Sequence, residues 1–330
     1  MLTLTLSLLG VAAMGVVLDR VADLKEAEAE ARYPPTGQLL DVGGREVHAH
    51  VQGSGPDLVL LHGASGSTRD FTFALVDRLA EDYRVIAFDR PGLGWTQRSD
   101  PAYGRVLTRA AESPAEQAAM LMAAADQLGV RRPVVLGHSY GGAVALAWGL
   151  ARPEDTAALV IVSGASNPWP GGLGAFYTFT ATALGAATIV PLITATAPYS
   201  RLGATLESIF TPDPVPMGYA RHIGAGLTMR RDSLRANTRQ VTGLKPHVEQ
   251  MVTRYPTLPM PVEIVHGTAD KVVPLEIHAE PLSRQIPGAV LTRLDGIGHM
   301  PHHAAPDAVV DAIDRAATRA GLRGGLHDGT

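Results

Sequence analysis

From Gly43 onward, short apolar runs rich in β-branched residues alternate with helix-length segments. The runs are Val47–Val51, Leu58–Leu61, Val85–Phe88, Val134–Leu136, Leu159–Val162, Val262–Val265 and Val290–Leu294. Such β-branched runs, separated by helix-length segments, predict a mostly parallel sheet with helices on both faces, an α/β architecture. The first two runs are joined only by Gly53-Ser54-Gly55-Pro56, too short for a crossover, so they are expected to form an antiparallel hairpin at one edge. Helices are expected over Phe71–Glu81, Ala115–Leu128, Tyr140–Ala151, Leu275–Arg284 and Pro306–Ala320. Ser113-Pro114-Ala115-Glu116 reads as a helix start, with Ser113 as cap, Pro114 at the first position and Glu116 reaching back, and Gly129 ends that helix. The alternation stops between Ser163 and Pro261, in a stretch rich in Gly, Pro, Thr and Ala. An insert that interrupts a sheet between two strands is expected to fold over the strand ends as a helical cap, 166–260, on a core formed by 37–165 and 261–320. The glycine-rich end, 321–330, reads as a loose tail.

Ahead of this pattern, Met1 to Leu18 carries no charge before Asp19 and Arg20 break it. About 18 apolar residues reach the lower limit for crossing a bilayer, so 1–18 is expected to be a single N-terminal membrane anchor, with 19–36 as a polar helical linker. With no basic residue before Arg20, a cleaved signal is disfavoured. The flanking Arg20, Lys25 and Arg32 are interleaved with acids, which leaves the side of the membrane open. The alternative is a surface-packed helix of a soluble protein.

Composition narrows the chemistry. With 46% hydrophobic and 18% charged residues in 330, the chain is expected to bury a large core. A net charge of −4, with no long block of like charges, argues against nucleic acid as a partner. The absence of cysteine removes disulfides, thiolate metal sites and cysteine nucleophiles together.

The nucleophile must then be oxygen or nitrogen, and Gly137-His138-Ser139-Tyr140-Gly141 supplies a candidate. The G-x-S-x-G pattern lies between an expected strand and an expected helix, where a sharp turn pushes a serine hydroxyl clear of the backbone. The amide of Tyr140 and the positive end of the helix then face the place where an oxyanion forms. A serine needs a base, and the base an orienting acid. Asp270 follows the run Val262–Val265 and His299 follows Val290–Leu294, each on a loop just past a strand end, in the order Ser, Asp, His. A second oxyanion donor is expected in His62-Gly63-Ala64-Ser65-Gly66, at the amide of Ala64, while His62 is expected to hold that loop by a hydrogen bond.

His299, His302 and His303 are spaced i, i+3, i+4, which on one helix would suggest zinc. Pro301 intervenes and His299 already has a role, so a histidine-rich loop and no metal are expected. No glycine-rich phosphate loop stands in the right context, so no organic cofactor is expected either. From Asn167 to Ser200 no residue is charged, and Phe176 and Phe179 are candidates to contact an apolar substrate, the alternative being a cap helix packed wholly inward. Pro191 argues against a second membrane span there.

The His-Gly loop, the turn Asp89-Arg90-Pro91-Gly92-Leu93-Gly94-Trp95, the serine turn, Asp270 and His299 together resemble the α/β-hydrolase family over about residues 37 to 320. The resemblance implies a capped α/β-hydrolase fold. Ser139 speaks against epoxide hydrolases and haloalkane dehalogenases, which carry a carboxylate there. What it implies is a serine hydrolase acting on an ester or related acyl bond of a small, fairly apolar molecule. The alternatives are a cofactor-free perhydrolase or carbon–carbon bond hydrolase with the same triad, or an idle accessory protein that binds an apolar ligand.

Overall fold

The computed structural model describes residues 2–198 and 201–323, with the backbone alone for 2–12, 201 and 202. Eight strands form one sheet: β1 Gln38–Val42, β2 Arg45–Gln52, β3 Asp57–Leu61, β4 Arg84–Phe88, β5 Val134–His138, β6 Ala158–Val162, β7 Val262–Gly267 and β8 Val290–Leu294. Their order is β1-β2-β4-β3-β5-β6-β7-β8. β3 to β8 pair in parallel, whereas β1 with β2 and β2 with β4 are antiparallel. Strands β3, β5, β6 and β7 are buried throughout, and the one glutamate among them, Glu263 of β7, is paired with Arg315 at 3.1 Å and Arg319 at 2.7 Å.

The edge differs from the expected hairpin. β2 does not pair with β3, because β4 lies between them. The hairpin is β1–β2, closed by Gly43 and Gly44 at φ +60 and +79 with Val42 opposite Arg45. Positive φ at both central residues is the two-residue turn that matches strand twist, and glycine supplies it without steric cost.

One face of the sheet packs on α2 Pro114–Gln127 and α3 Tyr140–Ala151, the other on α9 Pro306–Arg319 and the short helices Arg69–Thr72 and Leu75–Leu79. The start of α2 is a full capping box: Ser113 Oγ accepts from the Glu116 amide at 3.2 Å, and Glu116 accepts from the Ser113 amide at 2.8 Å. The helix expected over Phe71–Glu81 is in two pieces, parted at Ala74 with φ −155. The one expected over Leu275–Arg284 is confined to α8, Ala279–Gln285. In the segment joining β6 to β7 lie α4 Ala175–Thr180, α5 Ala183–Thr196, α6 Arg201–Phe210 and α7 Arg231–Val252. α5 runs through Pro191 without breaking.

The N-terminal region forms one helix, α1 Leu2–Arg32, with no boundary at residue 18. Residues 19–32 are not a detached linker: α1 packs on α5 and on the turn Ala225–Thr228, with Ala22 and Ala29 buried where small side chains let the helix approach. Its acidic side is clamped by two arginines. Arg231 binds Asp19, Asp23 at 2.5 Å and Glu26 at 2.9 Å, and Arg230 binds Glu30 at 2.9 Å. At the far end, Trp95 Nε1 donates to Tyr33 O at 3.0 Å and Arg69 to Pro34 O at 2.8 Å. Among the described residues no helix is long and apolar enough to cross a membrane. The side chains of 2–12, most of the expected anchor, lie outside the described set, as do Met1 and the tail from residue 324.

Because the acids in the clamp are partly exposed, each pair is worth only about 0.2–1 kcal/mol. Arg231→Ala is therefore expected to leave the global unfolding midpoint nearly unchanged while amide exchange within residues 19–32 accelerates by about tenfold, with 1 M salt mimicking the substitution in the wild type. Unchanged exchange would show that the apolar contacts alone seat α1.

Candidate active site

Ser139 lies between β5 and α3 at φ +54, ψ −120, a region that a non-glycine residue occupies only under constraint. Its amide donates to Val162 O at 3.0 Å, and its carbonyl accepts from Gly142 at 2.9 Å and Ala165 at 3.0 Å. The flanking glycines are needed for space. A Cβ on Gly137 would stand 2.2 Å from Gly141 O, one on Gly141 2.1 Å from Leu61 O, and one on Gly142 2.7 Å from Gly164 Cα. Tyr140 is the first residue of α3, so its amide has no partner within the helix. The Tyr140 ring itself points into the core, under the Arg90 guanidinium at 4.3 Å.

Asp270 and His299 come from the loops after β7 and β8, and His299 Nδ1 meets Asp270 Oδ2 at 2.8 Å. The other carboxylate oxygen accepts from the amides of Val272 and Val273, each at 2.9 Å. His266 Nε2 stands 3.3 Å from Asp270 Oδ2. Burial alone would raise the Asp270 pKa, but these hydrogen bonds and the neighbouring imidazoles hold it well below the usual carboxylate range. Asp89 and Asp295 are engaged elsewhere, Asp89 with His48 at 2.7 Å and the amides of Thr68 and Trp95, Asp295 with Thr268.

Ser139, His299, Ala64 and Phe176 line one cavity of about 650 Å³, walled by Ile193, Leu206, Ile209, Phe210, Ile223 and Met300. Lys25 and Glu26 of α1 also line it. Phe179 does not: it lies half-exposed and forms no part of the cavity wall, so its expected contact with substrate is corrected. His302 and His303 sit on a short helix, Pro301–Ala304, where a loop was expected, and turn toward Asp70.

The loop expected to carry the second oxyanion donor is held from two sides. His62 accepts from the Arg90 amide at Nε2 (2.9 Å), so its Nδ1 carries the proton and donates to Gly63 O at 2.8 Å. Burial, reinforced by Arg90, lowers the His62 pKa to about 4, so it stays neutral. From the cap, Asn237 of α7 accepts from the Ser65 amide at 2.7 Å and donates to Ser65 Oγ at 2.9 Å, while Thr228 donates to Ser65 O at 2.8 Å. Asn237 and His266 are the positioning residues that sequence reading missed. Asn237 belongs to no local motif and only its place in the fold reveals it, whereas His266 stands four residues before Asp270 in His266-Gly267-Thr268-Ala269-Asp270.

A model of the "Alpha/beta hydrolase family" matches residues 58–312. The chain belongs to this family. Within the family's reach, it is 29% identical over 265 residues to the "Magnesium-chelatase 30 kDa subunit" of Rhodobacter capsulatus, covering 77% of this chain and 84% of that one. It is 26% identical over 274 residues to a "2-hydroxymuconate semialdehyde hydrolase" of Pseudomonas putida, covering 82% and 90%. Among solved structures, a "membrane phospholipase A" described as a bacterial virulence factor superposes with a TM-score of 0.62 at 21% identity, over 96% of this chain and 99% of that one. A match over 96% of the chain takes in part of α1 as well as the hydrolase core.

Two predictions follow from the site's geometry. Ser139→Ala and Asp270→Asn are each expected to lower kcat by about 10³–10⁴-fold, with circular dichroism unchanged. Asp295→Asn, measured alongside, should stay near the wild-type rate.

The second concerns acid. His62 and His278 are both buried, with pKa values lowered to about 4, His278 by burial and then by His266. An unfolded chain takes up their protons near 6.5, the folded one near 4, so the unfolded state binds more protons between those values. Their contribution to stability is full above about pH 6.5 and is lost as pH falls toward 4. Denaturation midpoints measured from pH 7 to 4.5 should decline, with a shallower slope in His278→Gln.

Proposed function

We propose that the protein is a serine hydrolase that cleaves an ester or related acyl bond of a fairly apolar small molecule through an acyl-enzyme. The observation that carries this reading is the His299–Asp270 hydrogen bond opening on the same apolar cavity as a serine held at positive φ. In this mechanism Ser139 Oγ attacks the carbonyl carbon as His299 takes its proton, and the tetrahedral oxyanion is held by the amides of Ala64 and Tyr140. His299 then gives the proton to the leaving oxygen, and a water activated by the same imidazole releases the acid. Asp270 fixes the tautomer and orientation of His299 and offsets the charge of the imidazolium. The apolar walls favour an acyl chain or ring over a charged acid.

Carbon–carbon bond hydrolysis, which the name of the Pseudomonas putida relative describes for that protein, is the second reading, with the same three residues.

The reading extends to location: residues 1–18 hold the protein at a lipid surface. Support comes from the uncharged N-terminus, and from Met14, Val17, Val21 and Leu24, exposed apolar residues spaced 3, 4 and 3 along one side of α1. Leu184 and Leu192 are exposed on α5, the cap helix against which α1 packs.

A fluorophosphonate probe should label Ser139 in the folded protein, and kcat/KM for p-nitrophenyl esters should rise about two- to fourfold per added CH₂ until the cavity is filled. No labelling of Ser139 would refute the serine-hydrolase reading. Deleting residues 2–18, with the Arg231 clamp kept, should move the protein out of the membrane fraction and leave the rate on short-chain esters within about twofold of wild type. Unchanged fractionation would refute the lipid-surface role.

A further inference from the structure

Next to the nucleophile, five polar side chains that the ester chemistry does not use meet in a buried cluster. Asp70 comes from Arg69–Thr72, His138 from the end of β5, Tyr219 from the turn Tyr219–His222 in the cap, and His302 and His303 from Pro301–Ala304. Asp70 Oδ1 accepts from Tyr219 Oη at 2.7 Å and faces His303 Nε2 at 2.8 Å. Asp70 Oδ2 faces His302 Nε2 at 3.1 Å and His138 Nδ1 at 3.9 Å.

The hydrogens in this cluster do not balance. His138 Nε2 lies 2.9 Å from the carbonyl oxygen of His299, an acceptor only, so Nε2 carries the ring hydrogen and Nδ1 presents a lone pair. That Nδ1 is buried with no hydrogen-bond partner, and the nearest charged atom facing it is a carboxylate oxygen. Two electron-rich atoms facing each other 3.9 Å apart repel unless a positive centre or a hydrogen donor lies between them. Among the described residues, the ion-pair partners of Asp70 within 4.0 Å are histidines alone, with no lysine or arginine to supply that charge.

We propose that Asp70 Oδ2, His138 Nδ1 and His302 Nε2 form a binding site for a divalent transition-metal ion of the zinc class. Candidate ligand atoms of these three residues all lie within 4.8 Å of one another. Bonds of about 2.0–2.2 Å place the ligand atoms of a tetrahedral ion roughly 3–4 Å apart, which the Asp70 contacts already meet. His302 Nδ1 also has no partner, so its hydrogen can sit there while Nε2 ligates. Two imidazoles with one carboxylate suit zinc far better than magnesium or calcium. The surroundings are those that metal ligands require: His138 donates its other ring N–H to a backbone carbonyl, and the far oxygen of Asp70 is held by Tyr219 and His303. Asp70 and His138 both line the substrate cavity, which leaves a fourth position for water or a substrate oxygen. The site is independent of which bond Ser139 attacks.

The test is metal binding by the full chain, not activity. Chelator-treated protein should take up one equivalent of Zn²⁺ in competition with a chromophoric chelator, and Co²⁺ should give the intense visible bands of a four-coordinate site. Asp70→Asn and His302→Gln should abolish stoichiometric uptake, His303→Gln should weaken it about 10–100-fold, and Ser139→Ala should leave it unchanged. No stoichiometric uptake by the wild type overturns the proposal. So does uptake that survives both ligand substitutions, which would mean an adventitious ion only. Should those variants fail to fold, the ¹⁵N resonance of His138 Nδ1 in the wild-type protein decides: it must shift on addition of one equivalent of Zn²⁺, and an unmoved resonance overturns the site.

Discussion

The backbone conformation of Ser139 is the constraint on which the rest of the molecule depends. A side chain at φ +54 costs on the order of 1–3 kcal/mol, so the surroundings must hold it there. They do so by bringing four backbones closer than any side chain allows: β5 and α3 at Gly137 and Gly141, the β3 loop against Gly141, and the β6 loop against Gly142. The same approach sets the His62–Ser65 loop beside the serine, with a Cβ on Gly63 3.0 Å from Ser139 Cβ. Strain in the turn and the placing of the oxyanion loop are therefore one packing arrangement. Buried parallel strands supply the rigidity it needs, since β3, β5 and β6 are each sealed on both faces.

The cap does more than cover the strand ends. Through Asn237 and Thr228 it bonds both the amide and the carbonyl of Ser65, one residue beyond the expected oxyanion donor, and Ser65 itself sits at φ +57. A movement of α7 is transmitted to this loop through a buried side chain. Arg90 ties the arrangement together from below, donating to His62 O, Gly63 O, Gln117 and Gln240 of α7. Core and cap thus share one hydrogen-bond network around the cavity, and neither can be repacked without disturbing the other.

What could be read from the chain follows from how local each signal is. Ser139, Asp270 and His299 stood out because each lies just past a strand end, and strand, turn and chain order are all local or sequential properties. Most of the sheet was legible for the same reason, β3, β4, β5 and β6 each containing an unbroken apolar run. The β2–β4 pairing was not, because a short connector excludes a crossover without saying which strand comes to lie between its two neighbours. Phe179 was misplaced because an uncharged stretch shows no periodicity to tell the inward side of α4 from the outward one. Asn237 and Asp70 act through contacts spanning 172 and 233 residues of chain, and only the fold brings such partners together, whereas the contact of His266 with Asp270 spans four residues. The three histidines near residue 300 pointed to each other by spacing, whereas two of them turn to Asp70 and one to Asp270.

The docking of α1 carries a consequence for how the enzyme can be handled. Helix α1 forms part of the cavity wall, pinned along its second half by Arg231 and just past its end by Trp95 and Arg69. A fusion partner, an affinity tag or a solid support joined to the start of α1 is thereby connected through a stiff rod to the cavity. Bulk added there can bias access to the cavity even though it lies far in sequence from Ser139. The opposite face of the sheet, beneath α9, is the attachment point least coupled to the cavity.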